Sequence, residues 1–272
     1  MSIEDQYLGF LHSKPLQEVE FLLDLPLFDF QELSTTLQKL EEAKIVIREN
    51  EVLGKRIEHF FEYSIVNSKR YDLISKNIQI FDNKITIGEL DFIVKDLLKK
   101  EITHIELVYK FYLYDPNIDQ ELHRWVGPNR KDAFLYKVEK LKNHQFPLLY
   151  KKETSSILKE LKLESHEIKQ EVCFLANLFI PMSSKEKNIS LSNNVMGYWI
   201  KHNEFTSEKF GAFQFFIPQK HDWVVNPKSN LVWFSYEDII MHVNARLEQK
   251  KSPLLWVKRS EDTFDRFFIV WW

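Results

Sequence analysis

The chain has 272 residues, of which 44% are hydrophobic and 28% charged, so it can bury a substantial core and is neither disordered nor collagen-like. A formal net charge of −3 excludes a surface that is cationic all over, but it does not exclude a local basic groove for phosphate. The single cysteine, Cys173, excludes an intramolecular disulfide framework and a cysteine-rich zinc site, and it favours a reducing compartment. The first residues lack the basic and apolar regions of a secretory signal, and no stretch approaches ~18 consecutive apolar residues. We therefore expect a cytoplasmic protein without a membrane segment.

Hydrophobic periodicity predicts the elements of the first half in chain order. A helical preface is expected within residues 1–50, and a second helix over about 51–74. Three strands are predicted over 77–81, 84–94 and 102–114, with a turn at Asp82-Asn83, and a helix over about 130–143. Residues 51–150 therefore have the order helix, three strands, helix.

The second half, residues 151–272, is predicted to be a β-rich extension packed on this core. We expect helices over 153–163 and 236–249, a buried strand over 172–180, and a loop over 183–194. Short strands are expected at 197–200, 223–225, 231–234, 254–257 and 267–271. The class is α/β, with a mixed sheet of the α+β kind, and no linker-like segment divides residues 1–272 into separate domains.

Acidic side chains occur at three places in the first half where an ordinary solvated surface would not require them. Glu58 lies at the edge of the apolar stripe of the second predicted helix. Glu89 and Asp91 share one face of a predicted strand, and Glu106 and Lys110 share one face of the next. Mg²⁺ and Mn²⁺ take carboxylate oxygens together with phosphate and water, which indicates a metal-dependent phosphodiester hydrolase. The alternative for each acid taken singly is a solvated edge or an ion pair with lysine.

Four segments carry a resemblance to a known family: Leu53-Gly-Lys-Arg-Ile-Glu58, Gly88-Glu-Leu-Asp91-Phe-Ile, His104-Ile-Glu-Leu-Val-Tyr-Lys-Phe-Tyr-Leu113, and Trp125-Val-Gly-Pro-Asn-Arg-Lys-Asp132. The order of elements over roughly 50–145 resembles the PD-(D/E)XK nuclease superfamily, whose core is restriction-endonuclease-like. More closely, the four segments resemble an uncharacterised bacterial family called domain of unknown function 1853.

The resemblance implies a mixed sheet flanked by helices, a nuclease acting on DNA or RNA, and Mg²⁺ or Mn²⁺ as cofactor. By position, Glu58 would be the acid of the first core helix, Asp91 the main metal ligand, and Lys110 the catalytic lysine. The superfamily has a second acid two residues before the lysine, where this chain has Val108. Glu106 lies two residues further away, about 6.6 Å along the strand.

Two outcomes follow from this departure. Either Glu106, or Glu89 in its place, joins Asp91 as a metal ligand, or the protein is catalytically inactive and uses the same fold to bind nucleic acid or a protein partner.

Residues 124–153 carry eight lysines and arginines against three acids. We predict a nucleic-acid surface here, formed by Arg124, Asn129, Arg130, Lys131 and Lys137 and helped by a helix N-terminus after Gly127. A solvated lysine face is the alternative. The aromatic segment 267–272 is predicted to be a strand packed on the body or on a partner, which would make a homo-oligomer.

Overall fold

The protein is described here by a computed structural model covering residues 1–35, 45–184, 189 and 191–272. Parts of the predicted helical preface and of the predicted loop at 183–194 lie outside the described residues. The α-helices are α1 (Ile3–Leu11), α2 (Val19–Leu23), α3 (Phe30–Thr35), α4 (Leu53–Val66), α5 (Phe134–Lys140), α6 (Phe146–Leu148), α7 (Ser155–Glu160), α8 (Ser207–Phe210) and α9 (Tyr236–Glu248). A π-helical turn, Leu141–Gln145, joins α5 to α6. Short 3₁₀ turns occupy Glu121–Arg124, Lys152–Thr154, Ser165–Glu167, Ser192–Asn194, His202–Glu204, Lys220–Asp222 and Pro227–Ser229.

The described residues form one nine-stranded mixed sheet. Its strands are β1 (Tyr71–Asp82), β2 (Ile85–Asp96), β3 (Glu101–Tyr114), β4 (Trp125–Val126), β5 (Ile168–Pro181), β6 (Val195–Lys201), β7 (Gln214–Phe216), β8 (Leu254–Lys258) and β9 (Phe264–Val270). They are arranged in the order β1-β2-β3-β5-β6-β9-β8-β7, and β4 pairs with the end of β3. β1, β2 and β3 are antiparallel, whereas β5 is parallel to β3. The mixed α/β class predicted from the sequence is therefore confirmed.

Strand β3 is buried on both faces, which explains its long apolar run. Phe111 belongs to the core cluster that includes Ile57 and Phe61 of α4. Val108, offset by an odd number of residues, packs in a second cluster with Val138 of α5. Helices α4 and α5 thus cover opposite faces of the strand that carries Glu106 and Lys110.

Several predicted boundaries change in the structure. The helix predicted over 51–74 ends at Val66, because residues from Tyr71 onward pair with β2. The strand predicted at 223–225 is wrong: Trp223 follows a 3₁₀ turn and packs its ring 5.2 Å from that of Phe111. The strand predicted at 231–234 is also wrong, since only Phe234 forms a bridge there. The ring of Trp223 is buried without a ladder, whereas the segment 231–234 lies largely at the surface, with the Trp233 ring stacked 5.6 Å from that of Phe264.

The aromatic C-terminal segment forms an inner strand of the sheet of the same chain. β9 lies between β6 and β8, and its residues Phe267–Val270 are buried. The homo-oligomer expected from this segment stays a prediction. Among the described residues, no helix combines the length and the apolar character needed to cross a bilayer.

Candidate active site where the second and third strands separate

The candidate site begins where the ladder between β2 and β3 stops. The last paired residues are Phe92 and Ile105, so Asp91 and Glu106 are the first residues beyond the pairing. The side chain of Asp91 replaces the missing strand contact, because the backbone N–H of Leu107 donates to Asp91 Oδ2 at 3.0 Å. The opposing strand β1 is distorted here, with Asn77 at φ 50°. Asp91 and Glu106, two of the three acids predicted as metal ligands, therefore lie together at the start of a gap in the sheet.

Glu106 is fully buried and lies at the centre of a polar network. Gln145 Nε2 donates a short hydrogen bond to Glu106 Oε2, and His104 Nε2 lies 3.0 Å from Glu106 Oε1. Gln170 Nε2 lies 3.2 Å from His104 Nδ1. Since an amide nitrogen can only donate, Nδ1 accepts, so the proton of a neutral His104 sits on Nε2 and points at Glu106. Burial lowers the pKa of His104 to about 4, which keeps the ring neutral.

The two acids have pKa values above the ordinary range. Burial is the largest cause for Asp91, whose pKa rises to about 7; the Glu106 carboxyl raises it further, while the Leu107 N–H and Lys137 oppose the rise. Burial also raises the pKa of Glu106, against the positive charge of Lys137. Asp91 keeps a small solvent-accessible surface although protein atoms enclose most of it. Neighbouring buried carboxyls of this kind favour a shared proton or a bound cation.

Two further predicted acids lie on the α4 side of these carboxyls. Glu58 Oε2 accepts from Lys55 Nζ at 2.6 Å and from Asn77 Nδ2 at 3.0 Å. Glu89 Oε1 lies 3.8 Å from the same Lys55 Nζ. Burial alone would lower the pKa of Lys55, but its hydrogen bond to Glu58 and the charges of Glu58, Glu89 and Asp91 raise it. Lys55 thus partly neutralises the predicted acids of α4 and β2.

Lys110 lies on the same face of β3 as Glu106, as period two predicted. Its Nζ is 2.5 Å from Asp132 Oδ2, and its side chain is 38% exposed. Asp132 belongs to the segment after β4, and its backbone O accepts from Gly127 N at 2.7 Å. The predicted catalytic lysine is therefore paired with a carboxylate across the gap.

An open cleft of about 370 Å³ runs along the separated part of β3. One wall is the first turn of α4 with Glu58, and the other is the segment 127–132 with Lys131 and Asp132. Lys110 and Val108 form part of the floor, and Lys137 also lines the cleft. A cleft lined by four lysines, Lys110, Lys131, Lys137 and Lys220, beside a group of buried acids suits a phosphate-containing ligand.

Lys137 and Gln145 connect the cleft to the acids. Lys137 Nζ donates to Gln145 Oε1 at 2.7 Å, and Gln145 donates onward to Glu106. Sequence reasoning gave Lys137 only a role in nucleic-acid binding, left His104 as an ordinary polar residue and did not single out Gln145. Period two on β3 places His104 on the face of Glu106, which was an available signal. Gln145 lies in the π-turn, and no apolar repeat indicates such a turn.

Three residues of the predicted nucleic-acid surface use their polar groups within the fold. Arg124 Nε donates to Ile118 O at 2.6 Å. Arg130 pairs with Asp115 and stacks 4.0 Å above the ring of Trp272. Asn129 Oδ1 accepts from the backbone N–H of Ser252 at 2.8 Å. The helix expected to begin near Arg130 begins at Phe134, so the segment after Gly127 is a loop.

Among the described residues, no three His, Cys, Asp or Glu side chains are gathered as a ready metal site. Magnesium commonly uses only one or two carboxylates and completes its shell with water and substrate phosphate. Asp91 and Glu106 supply two carboxyls whose charged form a nearby cation would favour.

The family model described as Domain of unknown function (DUF1853) matches residues 16–270. No curated protein and no solved structure matches the chain. Since the family match covers nearly the whole sequence and includes every residue of the candidate site, the chain belongs to the DUF1853 family.

Proposed function

We propose that the protein is a metal-dependent phosphodiester hydrolase acting on DNA or RNA, built on a restriction-endonuclease-like core. The observation that carries the proposal is the neighbouring pair of carboxyls, the half-buried Asp91 and the buried Glu106, at the point where β2 and β3 separate beside a lysine-lined cleft. The element order supports the core assignment, since α4 is followed by three antiparallel strands, then by α5, and then by β5 parallel to β3.

In this proposal Asp91 and Glu106 hold Mg²⁺ or Mn²⁺, with Glu89 and Glu58 as further acids on the α4 side. A divalent ion at this position would polarise the phosphoryl group and lower the pKa of bound water. The chain itself binds and orients the substrate: the basic lining of the cleft attracts the phosphate backbone, and Gln145 and His104 hold Glu106 in place through N–H donors. Lys110, the lysine that the family resemblance makes catalytic, forms an ion pair with Asp132 at the floor of the cleft.

A second function, binding of nucleic acid without hydrolysis, is favoured by one specific observation. Both carboxylate oxygens of the fully buried Glu106 already accept hydrogen bonds from the protein. Val108, not an acid, occupies the floor of the cleft two residues before Lys110. A protein of this kind would bind phosphate by charge and would not require the metal.

Cleavage assays with matched variants distinguish these functions. Wild type, Asp91→Asn and Glu106→Gln are incubated with single- and double-stranded DNA and RNA in Mg²⁺, Mn²⁺ or EDTA. We expect wild-type cleavage only with metal, and a loss of about 100-fold or more in both variants, because transition-state stabilisation by a metal amounts to several kcal/mol.

Asp262→Asn is the control, since Asp262 is exposed and lies between β8 and β9, away from the cleft. Cleavage that is equal in wild type, Asp91→Asn and Glu106→Gln would refute the hydrolase assignment. Salt-dependent binding with no cleavage, and with no Mn²⁺ binding in calorimetry, would select the second function.

A further inference from the structure

Lys137 is held at the edge of the buried face of α5. Phe134, three residues before it, and Val138, directly after it, are buried in the core, and Lys137 lines the cleft. Its Nζ donates one hydrogen bond, to Gln145 Oε1. An ammonium group has three donors and no acceptor, so this bond leaves two donors for a ligand in the cleft.

Gln145 can make this contact because of the π-turn. The turn Leu141–Gln145 follows α5 directly and ends with the N–H of Phe146 donating to Leu141 O. The wider turn brings Gln145 between Lys137 and Glu106, and the chemistry of its partners fixes the amide orientation: lysine can only donate, so the amide oxygen faces Lys137 and the NH₂ group faces Glu106. Single π-turns inside helices occur frequently at functional sites.

Lys110 and Lys137, which both line the cleft, differ in their partners. Lys110 is paired with the carboxylate of Asp132, which offsets its charge toward any approaching anion. The partner of Lys137 is a neutral amide, which does not offset its charge. Gln145 bridges Lys137 and Glu106 through two hydrogen bonds, so Lys137 lies one side chain away from that acid. Burial lowers the pKa of Lys137, and the charges of Glu106 and Asp91 oppose this decrease.

We propose that Lys137, positioned by Gln145, contacts the phosphate of a nucleic acid beside Asp91 and Glu106, in the place that family resemblance gives to Lys110. Lys110 and Asp132 then form an ion pair that joins β3 to the segment after β4. This inference rests on the proposed nucleic-acid function, and it names the residue that recognises the phosphate.

Binding measurements with labelled oligonucleotides test this assignment without relying on cleavage. Wild type, Lys137→Met, Lys137→Arg, Lys110→Met and Gln145→Met are titrated with fluorescein-labelled DNA and RNA of one sequence, in EDTA, at three salt concentrations. Lys142→Met is the matched control, because Lys142 is exposed on the same turn. Thermal unfolding verifies that each variant is folded.

We expect Lys137→Met to weaken binding by about tenfold and to reduce the slope of log affinity against log salt by about one, as the loss of one phosphate contact requires. Lys137→Arg should restore the slope, Gln145→Met should weaken binding with the slope retained, and Lys110→Met and Lys142→Met should bind within about twofold of wild type.

Equal binding by Lys137→Met and wild type, or a larger loss in Lys110→Met, would overturn the assignment while leaving the proposed function standing. If the wild-type protein binds none of the probes, the proposed function fails as well, and this assignment with it.

Discussion

The raised pKa values of Asp91 and Glu106 make the free energy of unfolding depend on pH. A carboxyl whose pKa is higher in the folded than in the unfolded state stabilises the fold when protonated, and this stabilisation is lost as the pH rises through the folded-state pKa. For Asp91 the window runs from the ordinary value of 3.8 to about 7, and Glu106 shifts in the same direction. In the absence of metal, ionisation of these carboxyls as the pH approaches neutrality therefore lowers the free energy of unfolding.

We predict that the metal-free wild type loses stability relative to Asp91→Asn between about pH 4 and pH 7, by an amount on the order of a few kcal/mol. Denaturant unfolding in EDTA at several pH values measures the difference between the two proteins. Mn²⁺ should reduce the loss in wild type alone, because the ion replaces the proton as the partner of the carboxylate. Parallel pH curves for the two proteins would contradict the prediction, and Glu160→Gln on the exposed side of α7 is the control.

Residue-level prediction from the sequence succeeded where a single periodicity applies. Period two placed Glu106, Val108 and Lys110 on one face of β3, and in the structure all three lie toward α5 and the segment before it. This periodicity could not indicate that Asp132 forms an ion pair with Lys110 or that Gln145 donates a hydrogen bond to Glu106. Those contacts depend on a loop and on a π-turn, whose geometry has no repeating signal in the sequence.

At the scale of elements, the same glycine-to-alanine substitution is expected to have opposite effects on stability at two positions. A Cβ on Gly197 of β6 would lie 2.2 Å from the backbone O of Arg266 in β9, whereas a Cβ on Gly54 of α4 would meet nothing within 4 Å. We expect Gly197→Ala to destabilise the protein by about 1–3 kcal/mol, since neither backbone can move away inside a parallel pair of strands. Gly54→Ala should stabilise it by about 0.5–1 kcal/mol, because alanine suits a helix better.

Denaturant midpoints for the two variants and wild type measure both effects. A Gly197→Ala protein as stable as wild type would show that β6 and β9 do not approach as closely as described. Strand prediction at this level was good for β2, β3, β5 and β8, which are long or strongly apolar, and poor for 231–234, where most of the apolar residues are exposed and form no ladder.

At the scale of the whole molecule, the C-terminal half holds one wall of the cleft in place. Ser252 N donates to Asn129 Oδ1 at 2.8 Å, and Ser252 Oγ donates to Pro128 O at 2.7 Å. Trp272 Nε1 also donates to Pro128 O, at 3.1 Å. These contacts join the segment 127–132 to residues more than 120 positions away, so no local pattern could have indicated them. They also explain why a candidate site within residues 51–150 requires the extension that follows it.

Trp272 offers a test of this long-range support. Its ring lies 4.0 Å from the Arg130 guanidinium carbon and 5.1 Å from the ring of Trp199, so it fixes both the backbone and the side chains of the cleft wall. We expect Trp272→Ala to lower the free energy of unfolding by about 1–3 kcal/mol. We also expect the backbone amides of residues 127–132 to exchange their hydrogens faster, with the amides of α9 unchanged.

Hydrogen exchange followed by mass spectrometry measures the local effect, and Phe21→Ala is the control because Phe21 is 84% exposed. Nucleic-acid binding should weaken in Trp272→Ala along with the loss of protection, since Lys131 and Asp132 lie on the loosened segment. Unchanged protection over 127–132 would show that the wall is rigid without the C-terminal contacts, and any loss of binding would then require another cause.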